Sequence, residues 1–195
     1  MSVSSHNPNV ASDHSTGVAD SGRWSTKRIA VYALFVALSM VLSFVEVPIF
    51  PAAPFLKYDP SGIVMLIVGF AYGPAAAAIV SVLGFVPHLF TNPWGALMAI
   101  LVALSLSVPA AFIYRRKRTR AGAVIGMLVG AALAVVVAIL GNLVITPIYT
   151  GWPVSEVAAL IVPALLPFNI LKMAIHGVVT FLIYRPISNL LDKRI

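Results

Sequence analysis

The chain has 195 residues, of which 60% are hydrophobic and only 10% charged, with a mean hydropathy of +0.98. Soluble domains carry about 25% charged residues, so this composition excludes a water-soluble globular protein and indicates an integral membrane protein. Cysteine is absent, which excludes disulfide bonds, thiolate metal sites and cysteine nucleophiles.

The first 22 residues differ from the rest of the chain. They are rich in Ser, Asn, Asp and His and contain almost no large apolar side chains. Such a segment cannot bury enough apolar surface to offset the entropy lost on ordering. We therefore predict a disordered polar tail over 1–22, followed by a single membrane domain over 23–195.

Apolar segments long enough to cross a membrane follow the tail. About 20 apolar residues span the hydrocarbon layer as a helix. The sequence predicts an all-α membrane protein with six transmembrane helices, at about 28–47, 61–73, 74–90, 94–114, 121–148 and 160–187. The second and third are short, and the Gly73-Pro74 pair predicts a tight turn between them.

The placement of the basic residues explains the net charge of +7. With six spans, the N-terminus, the loop between spans four and five and the C-terminus share one side. That side holds eleven of the thirteen Lys and Arg residues, and the positive-inside rule assigns it to the cytoplasm. The charge is therefore a topology signal rather than a nucleic-acid footprint, and both termini are predicted to be cytoplasmic.

Polar side chains in the last span are the first candidates for a site, because ionisable groups are costly inside a membrane. Asn169 and Lys172 share one helix face, and His176 extends the same stripe. Lys172 either reaches the outer interface by snorkelling or lines an outward-facing cavity together with Asn169. For His176, an interhelical hydrogen bond and a ligand contact both remain open.

Three further polar residues lie at the predicted outer ends of the spans. Asn142 either joins two helices by a hydrogen bond or faces the site. Glu46 is either an interfacial carboxylate in water or a site residue. His88, near Trp94, is either an interfacial anchor or a residue at the mouth of the site.

The outer loop at 49–60, I-F-P-A-A-P-F-L-K-Y-D-P, contains three prolines. It is either a linker or a lid over the polar groups above, with a stacking surface made of aromatic side chains. Its candidate binding residues are Phe55, Leu56, Lys57, Tyr58 and Asp59. Together these groups predict a pocket for a small polar-aromatic solute.

Several motifs are absent. The chain has no G-x-x-x-x-G-K-[ST] loop for ATP hydrolysis and no histidine–carboxylate pattern for a metal. An intramembrane enzyme would need His176 with Ser81, Ser105 or Ser107, but no Gly-flanked serine motif supports one. We predict no catalytic or metal site, so energy for moving a solute must come from other subunits.

Four segments, in this order and spacing, resemble the substrate-binding S-components of energy-coupling factor (ECF) vitamin transporters, and most closely the riboflavin-specific members. The segments are F-L-K-Y-D-P-S-G at 55–62, G-F-A-Y-G-P at 69–74, T-P-I-Y-T-G at 146–151 and L-P-F-N-I-L-K at 166–172. The resemblance implies capture of a vitamin outside a prokaryotic plasma membrane under a lid. Release inside would need a coupling module of one membrane subunit and two ATPases. Riboflavin is then a transported substrate rather than a cofactor, and ATP is used by the partners.

The resemblance also implies roles for individual residues. Asn169 and Lys172 match the family's ligand-contacting pair, and Asn142 corresponds to an asparagine of its fifth span. Ala33 and Ala37 match the A-x-x-x-A pattern by which S-components dock on the membrane coupling subunit. The flat ring of a flavin suits Phe55, Tyr58 or Trp94. The chain departs from the family at 84–88, where a Lys-Asn pair is common, and at Ala99, where an Asn is common.

The sequence thus predicts a vitamin-binding subunit of an ATP-driven uptake transporter, with riboflavin or a close relative as substrate. The alternatives are an S-component for a different vitamin, an intramembrane enzyme using His176 with a serine, and a stand-alone facilitator.

Overall fold

The computed structural model describes residues 25–50, 53 and 55–192, with side chains described as far as Tyr184. The predicted tail at 1–22 lies outside the described residues. The described part contains seven α-helices: α1 (Thr26–Ser43), α2 (Ser61–Tyr72), α3 (Pro74–Leu83), α4 (Pro93–Arg116), α5 (Arg120–Thr150), α6 (Val154–Ala159) and α7 (Leu166–Asp192).

The helices confirm a mostly helical membrane domain. Within the described residues, four stretches are long and apolar enough to cross a bilayer, at Thr26–Ser43, Pro93–Arg116, Arg120–Thr150 and Ile161–Tyr184. With 12 and 10 residues, α2 and α3 are shorter than the about 20 residues that a full crossing requires. The count of six spans therefore stays a prediction.

The short helix α2 occupies the interior of the bundle. Nine of its twelve residues are buried, which fits its apolar character on all sides. It packs against α1, α3, α4 and α7. It ends at Gly73, whose φ of +91° favours a residue without a Cβ, so the predicted turn before Pro74 is observed.

The structure differs from the prediction where the helices of the expected spans are interrupted. The first helix ends at Ser43 rather than near 47, and the predicted third span divides into α3 and a 3₁₀ turn at Val86–Phe90. Pro87 has no N–H to continue the α-helical ladder. In the last span, Pro163 and Pro167 remove two more donors, and a π-helical turn at Ile161–Leu165 precedes α7.

A short antiparallel ribbon was missed by the all-α prediction. Strand β1 (Val47–Pro48) pairs with β2 (Lys57–Tyr58), in the register Val47 opposite Tyr58. Two residues per strand give no periodic sequence signal. We name the described residues within 47–60 the ribbon segment, and the end of the bundle where it lies the ribbon end.

Candidate functional site

A cavity of about 220 Å³ lies at the ribbon end. Its walls come from the ribbon segment and from the facing ends of α2, α4, α5 and α7. Nine of the eleven predicted binding residues line it: Glu46, Phe55, Leu56, Lys57, Asp59, His88, Asn142, Asn169 and Lys172. The structure thus brings together residues that lie up to 126 positions apart in the chain, from 46 to 172.

Lys172 forms a buried ion pair with the ribbon segment. Its Nζ lies 2.6 Å from Asp59 Oδ2, and the two side chains are 15% and 10% exposed. The ammonium group therefore faces the cavity and the ribbon segment instead of snorkelling to an interface. A close, poorly solvated pair of this kind ties the ribbon segment to α7.

Asp59 is fixed from several sides. The backbone N–H of Ser61 donates to its Oδ1 at 3.2 Å, and the Ser61 hydroxyl donates to the same atom. Burial alone would raise the pKa of the Asp59 carboxyl. The charge of Lys172 and the hydrogen bonds from Lys172 and Ser61 outweigh burial, so the pKa lies below its usual value. Asp59 is therefore ionised at neutral pH.

His176 makes the second link between α7 and the ribbon segment. Its Nε2 lies 2.9 Å from the backbone oxygen of Asp59, and because a carbonyl only accepts, Nε2 carries the proton. The ring is 2% exposed and faces Gly62, where an added Cβ would lie 2.5 Å from Nδ1. The imidazole thus links α7 to the ribbon segment, where the sequence had suggested a bond between helices, and His176 also lines the cavity.

Two amides face the cavity with hydrogen-bonding capacity to spare. Asn169 Nδ2 donates to Leu165 O at 2.8 Å. Asn142 Nδ2 donates to Ala138 O at 2.7 Å, and its Oδ1 accepts from the Thr146 hydroxyl at 2.8 Å. An amide has two N–H donors and a carbonyl oxygen. Each therefore keeps one N–H that no described protein group uses.

A second group of charges lies at the rim of the cavity. Lys57 forms an ion pair with Glu46 across the ribbon. His88 Nε2 lies 2.8 Å from Ser43 Oγ, and Phe44 stacks on the imidazole at 4.3 Å between ring centroids. His88 is thus held by the end of α1 and not by Trp94.

Two predicted binding residues lie outside the cavity lining. Trp94 is 38% exposed, and the Tyr58 ring packs against His176 at 5.5 Å. The aromatic ring of the ribbon segment that lines the cavity is Phe55, which meets Trp152 edge to face at 6.1 Å. Of the three predicted aromatic residues, Phe55 is therefore the one that lines the cavity.

Sequence reasoning missed most of the apolar lining. These residues give no sequence signal, because an apolar residue that lines a cavity has the same spacing as one in a packed core. Leu56, which was predicted, is 5% exposed and packs with residues of α6, the π turn and α7. The missed lining residues include Ser43, Met65, Phe85, Met98, Tyr149, Phe168 and Met173.

The charges that line the cavity cancel. Glu46 and Asp59 carry negative charges, Lys57 and Lys172 carry positive ones, and each lysine is paired with one carboxylate. Among the described residues, no three His, Asp or Glu side chains are grouped to hold a metal ion. The cavity therefore offers an apolar floor, amide donors and no net charge, which suits an uncharged solute with polar edges.

The predicted docking residues lie elsewhere on the molecule. Ala33 and Ala37 are exposed on α1, on the same side as Leu34 and Val41, which are 68% and 65% exposed. This side of α1 faces away from the bundle, so a further helix could approach it closely.

The profile of the family described as "ECF transporter, substrate-specific component" matches residues 27–184. The chain belongs to this family. Since the family supplies the substrate-binding component of transporters, the chain is not an enzyme.

Curated relatives carry a more specific description. The chain is 30% identical to the riboflavin transporter RibU of Staphylococcus aureus (strain TCH60), in a match covering 86% of this chain and 93% of that protein. It is 29% identical to the riboflavin transporter FmnP of Bacillus subtilis (strain 168), over 81% of this chain and 90% of that protein.

Solved structures share the fold. A structure described as the S component of a bacterial ECF transporter superimposes with a TM-score of 0.72 and 30% identity, covering 85% of this chain and 97% of that one. ThiT from Listeria monocytogenes superimposes with a TM-score of 0.53 at 19% identity, covering 86% and 96%. The second likeness concerns the fold alone.

Proposed function

We propose that this chain binds riboflavin, or a close flavin, in the ribbon-end cavity and delivers it into the cell with a separate ATP-driven coupling module. The observation that carries this proposal is the convergence of Asn142, Asn169 and Lys172 on one cavity without net charge. Riboflavin is uncharged, with a flat apolar ring and a polar edge. The names of the 29–30% identical relatives support the same substrate.

The proposal includes an orientation in the membrane. The chain crosses the plasma membrane of a prokaryote several times, and the ribbon end faces outward. The first turn of α1 and the α4–α5 connection face the cytoplasm, where the positive-inside rule places their basic residues. In this arrangement α2 and α3 supply the second and third of six spans, and both termini are cytoplasmic.

Binding requires movement of the ribbon segment. The cavity of about 220 Å³ is smaller than the about 300–1,000 Å³ typical of ligand pockets. The ribbon segment is tied to α7 by the Lys172–Asp59 pair and the His176 hydrogen bond. These two links must loosen or shift when the ligand enters. Once they form again, they hold the ribbon segment over the ligand.

The proposed docking of the coupling subunit uses the exposed face of α1. Ala33 and Ala37 lie on that face, and small side chains let helix backbones approach closely. One membrane subunit and two ATPases would complete the transporter. They supply the energy, because this chain carries no nucleotide-binding motif.

The test is to purify the full chain in detergent, incubate it with riboflavin, remove free ligand and record the absorbance spectrum. We expect flavin bands at near one flavin per chain. Thiamine treated in the same way serves as the control for another vitamin. A protein that stays colourless after incubation and leaves riboflavin fluorescence unquenched would contradict the proposal.

A further inference from the structure

A second cavity, of about 340 Å³, lies at the opposite end of the bundle. It is lined by the first turns of α1, the turn between α2 and α3, and the end of α4. Along α4 the lining of the first cavity reaches Leu106 and that of the second begins at Arg115, a distance of about 14 Å at 1.5 Å per residue, and no residue lines both cavities. We name this end the basic end. Its cavity is therefore distinct from the flavin site.

Three arginines from different elements line this cavity: Arg28, Arg115 and Arg118. Arg28 lies in the first turn of α1, where its backbone N–H donates to the capping Ser25 hydroxyl at 3.3 Å. Arg115 lies in the last turn of α4, with its Cδ 3.9 Å from the position that a Cβ on Gly73 would occupy. Local backbone structure thus places both residues at the cavity, where both are exposed.

Arg118 is held between two helix ends. It lies in the three-residue connection 117–119 between α4 and α5. Thr119 closes this connection as the cap of α5, accepting from the Gly122 N–H at 3.0 Å. Both ends of the connection are thus fixed by helices, and Arg118 is exposed on it. The floor below the arginines contains Tyr32 and Phe70, which are 6% and 7% exposed.

The positive charge of this cavity is not balanced within the described part of the chain. None of the described residues that line it is acidic, and none of the three arginines makes an ion pair with a described carboxylate. Glu46 and Asp59 line the other cavity. Three guanidinium groups around one concave space create a strong local field for an anion.

The positive-inside rule alone does not account for this arrangement. That rule asks only for basic residues in the connections. Arg116 and Arg120 meet it equally well but do not line the cavity. Arg116 instead places its guanidinium over the Phe112 ring, at 4.6 Å from the centroid. The convergence of the other three is a separate feature of the structure.

We propose that the basic-end cavity binds the phosphate headgroup of an anionic phospholipid. Guanidinium groups bind phosphate oxygens through paired hydrogen bonds, and basic pockets between helices at the cytoplasmic side take such headgroups. Ile29, which follows Arg28 on α1, is apolar and 52% exposed. Its apolar side chain can contact the acyl chains of a lipid, which a soluble phosphate does not have.

The experiment is a native mass-spectrometry titration of the full chain in neutral detergent. Phosphatidylglycerol and phosphatidylcholine with identical acyl chains are the two probes. We expect tighter binding of phosphatidylglycerol. Arg28→Gln, Arg115→Gln and Arg118→Gln should each weaken it by about ten-fold or more, the loss of a hydrogen bond between charged groups. Phosphatidylcholine binding should not change.

Matched controls remove one positive charge from the same end of the molecule outside the cavity. Arg116→Gln and Arg120→Gln should leave phosphatidylglycerol binding within about two-fold of the unsubstituted chain, because charges outside a pocket are screened by salt. Retained riboflavin binding at the other end of the bundle reports that each variant is folded. The single variants make the test independent of whether a triple variant folds.

Four results would overturn the proposal. Equal weakening by the cavity and control variants would show a diffuse surface effect. Unchanged binding in all three cavity variants would show that the arginines do not hold the headgroup. Competition by glycerol phosphate as effective as the lipid itself would indicate a soluble ligand. Loss of binding to the coupling subunit in the cavity variants, with lipid binding intact, would assign the arginines to a protein interface.

Discussion

At the scale of single residues, Lys172 carries the most specific expectation. Lys172→Ala removes a charged donor from the cavity and leaves the Asp59 carboxylate without its 2.6 Å partner. We expect riboflavin affinity to fall by more than about 1 kcal/mol, the scale of a hydrogen bond to a charged group. The measurement is fluorescence-quenching titration, with Ser105→Ala as control because its hydroxyl bonds only within its own helix, to Leu101 O. Equal affinity in both variants would remove Lys172 from the site.

The Asp59 carboxyl gives a pH dependence with a defined sign. Its pKa is lowered in the folded protein, so the stability that it contributes is present above the unfolded pKa of about 3.9. That contribution is lost as the pH falls through the folded pKa. We expect Asp59→Asn to lower the free energy of unfolding by about 2 kcal/mol at neutral pH, as for a hydrogen bond with a charged group.

The pH test compares thermal unfolding of the unsubstituted chain and the Asp59→Asn variant in one detergent. The difference in stability should be constant between pH 6 and pH 8, because Asp59 is fully ionised throughout, and should shrink only below about pH 4. A difference that shrinks already between pH 7 and pH 6 would show that the carboxyl titrates near neutrality, contrary to the ion pair described.

At the scale of elements, the junction of α2, α7 and the ribbon segment depends on Gly62. A methyl group there would lie 2.5 Å from His176 Nδ1. Gly62→Ala should therefore displace the imidazole, break its bond to the Asp59 carbonyl and weaken riboflavin binding by about 1 kcal/mol or more. Gly177→Ala is the matched control, since a Cβ on Gly177 would meet nothing within 4 Å.

The Gly62 comparison is read from riboflavin affinity and thermal stability together. Gly177→Ala should leave affinity unchanged and stabilise the helix by up to about 1 kcal/mol. If the two variants bind riboflavin equally well, His176 does not act as a brace for the ribbon segment.

Local sequence patterns predicted some of these elements and missed others. The spacing of Asn169 and Lys172 placed both on one helix face, and the structure shows both at the cavity. The partner of Lys172 could not be derived, because Asp59 lies 113 residues away and no periodicity links the two segments. The strands β1 and β2 were missed for a related reason. Their pairing depends on where α1 ends and α2 begins.

At the scale of the whole molecule, the bundle carries two cavities along its length. The cavity beside the ribbon segment lies at one end, and the arginine-lined cavity lies at the other. The exposed Ala33–Ala37 face of α1 lies away from the bundle. Ligand binding and coupling should therefore be separable by substitution.

The separation is tested with Ala37→Leu. A bulky side chain on this exposed face should prevent close helix approach. It should abolish co-purification with the coupling module and ATP-driven riboflavin uptake, while binding of riboflavin in detergent stays unchanged. Ala132→Leu, on an exposed position of α5, is the control. Uptake that continues without any coupling module would instead indicate a stand-alone facilitator.

The central claim is that a flavin binds in the ribbon-end cavity of this chain. It is tested most directly by titrating the purified protein with riboflavin and following quenching of its fluorescence, side by side for the unsubstituted chain and Lys172→Ala. The account predicts saturation at one riboflavin per chain, with the affinity of the variant at least about five-fold weaker, as a loss of about 1 kcal/mol requires. No saturable quenching with the unsubstituted chain, or identical binding by both proteins, would contradict it.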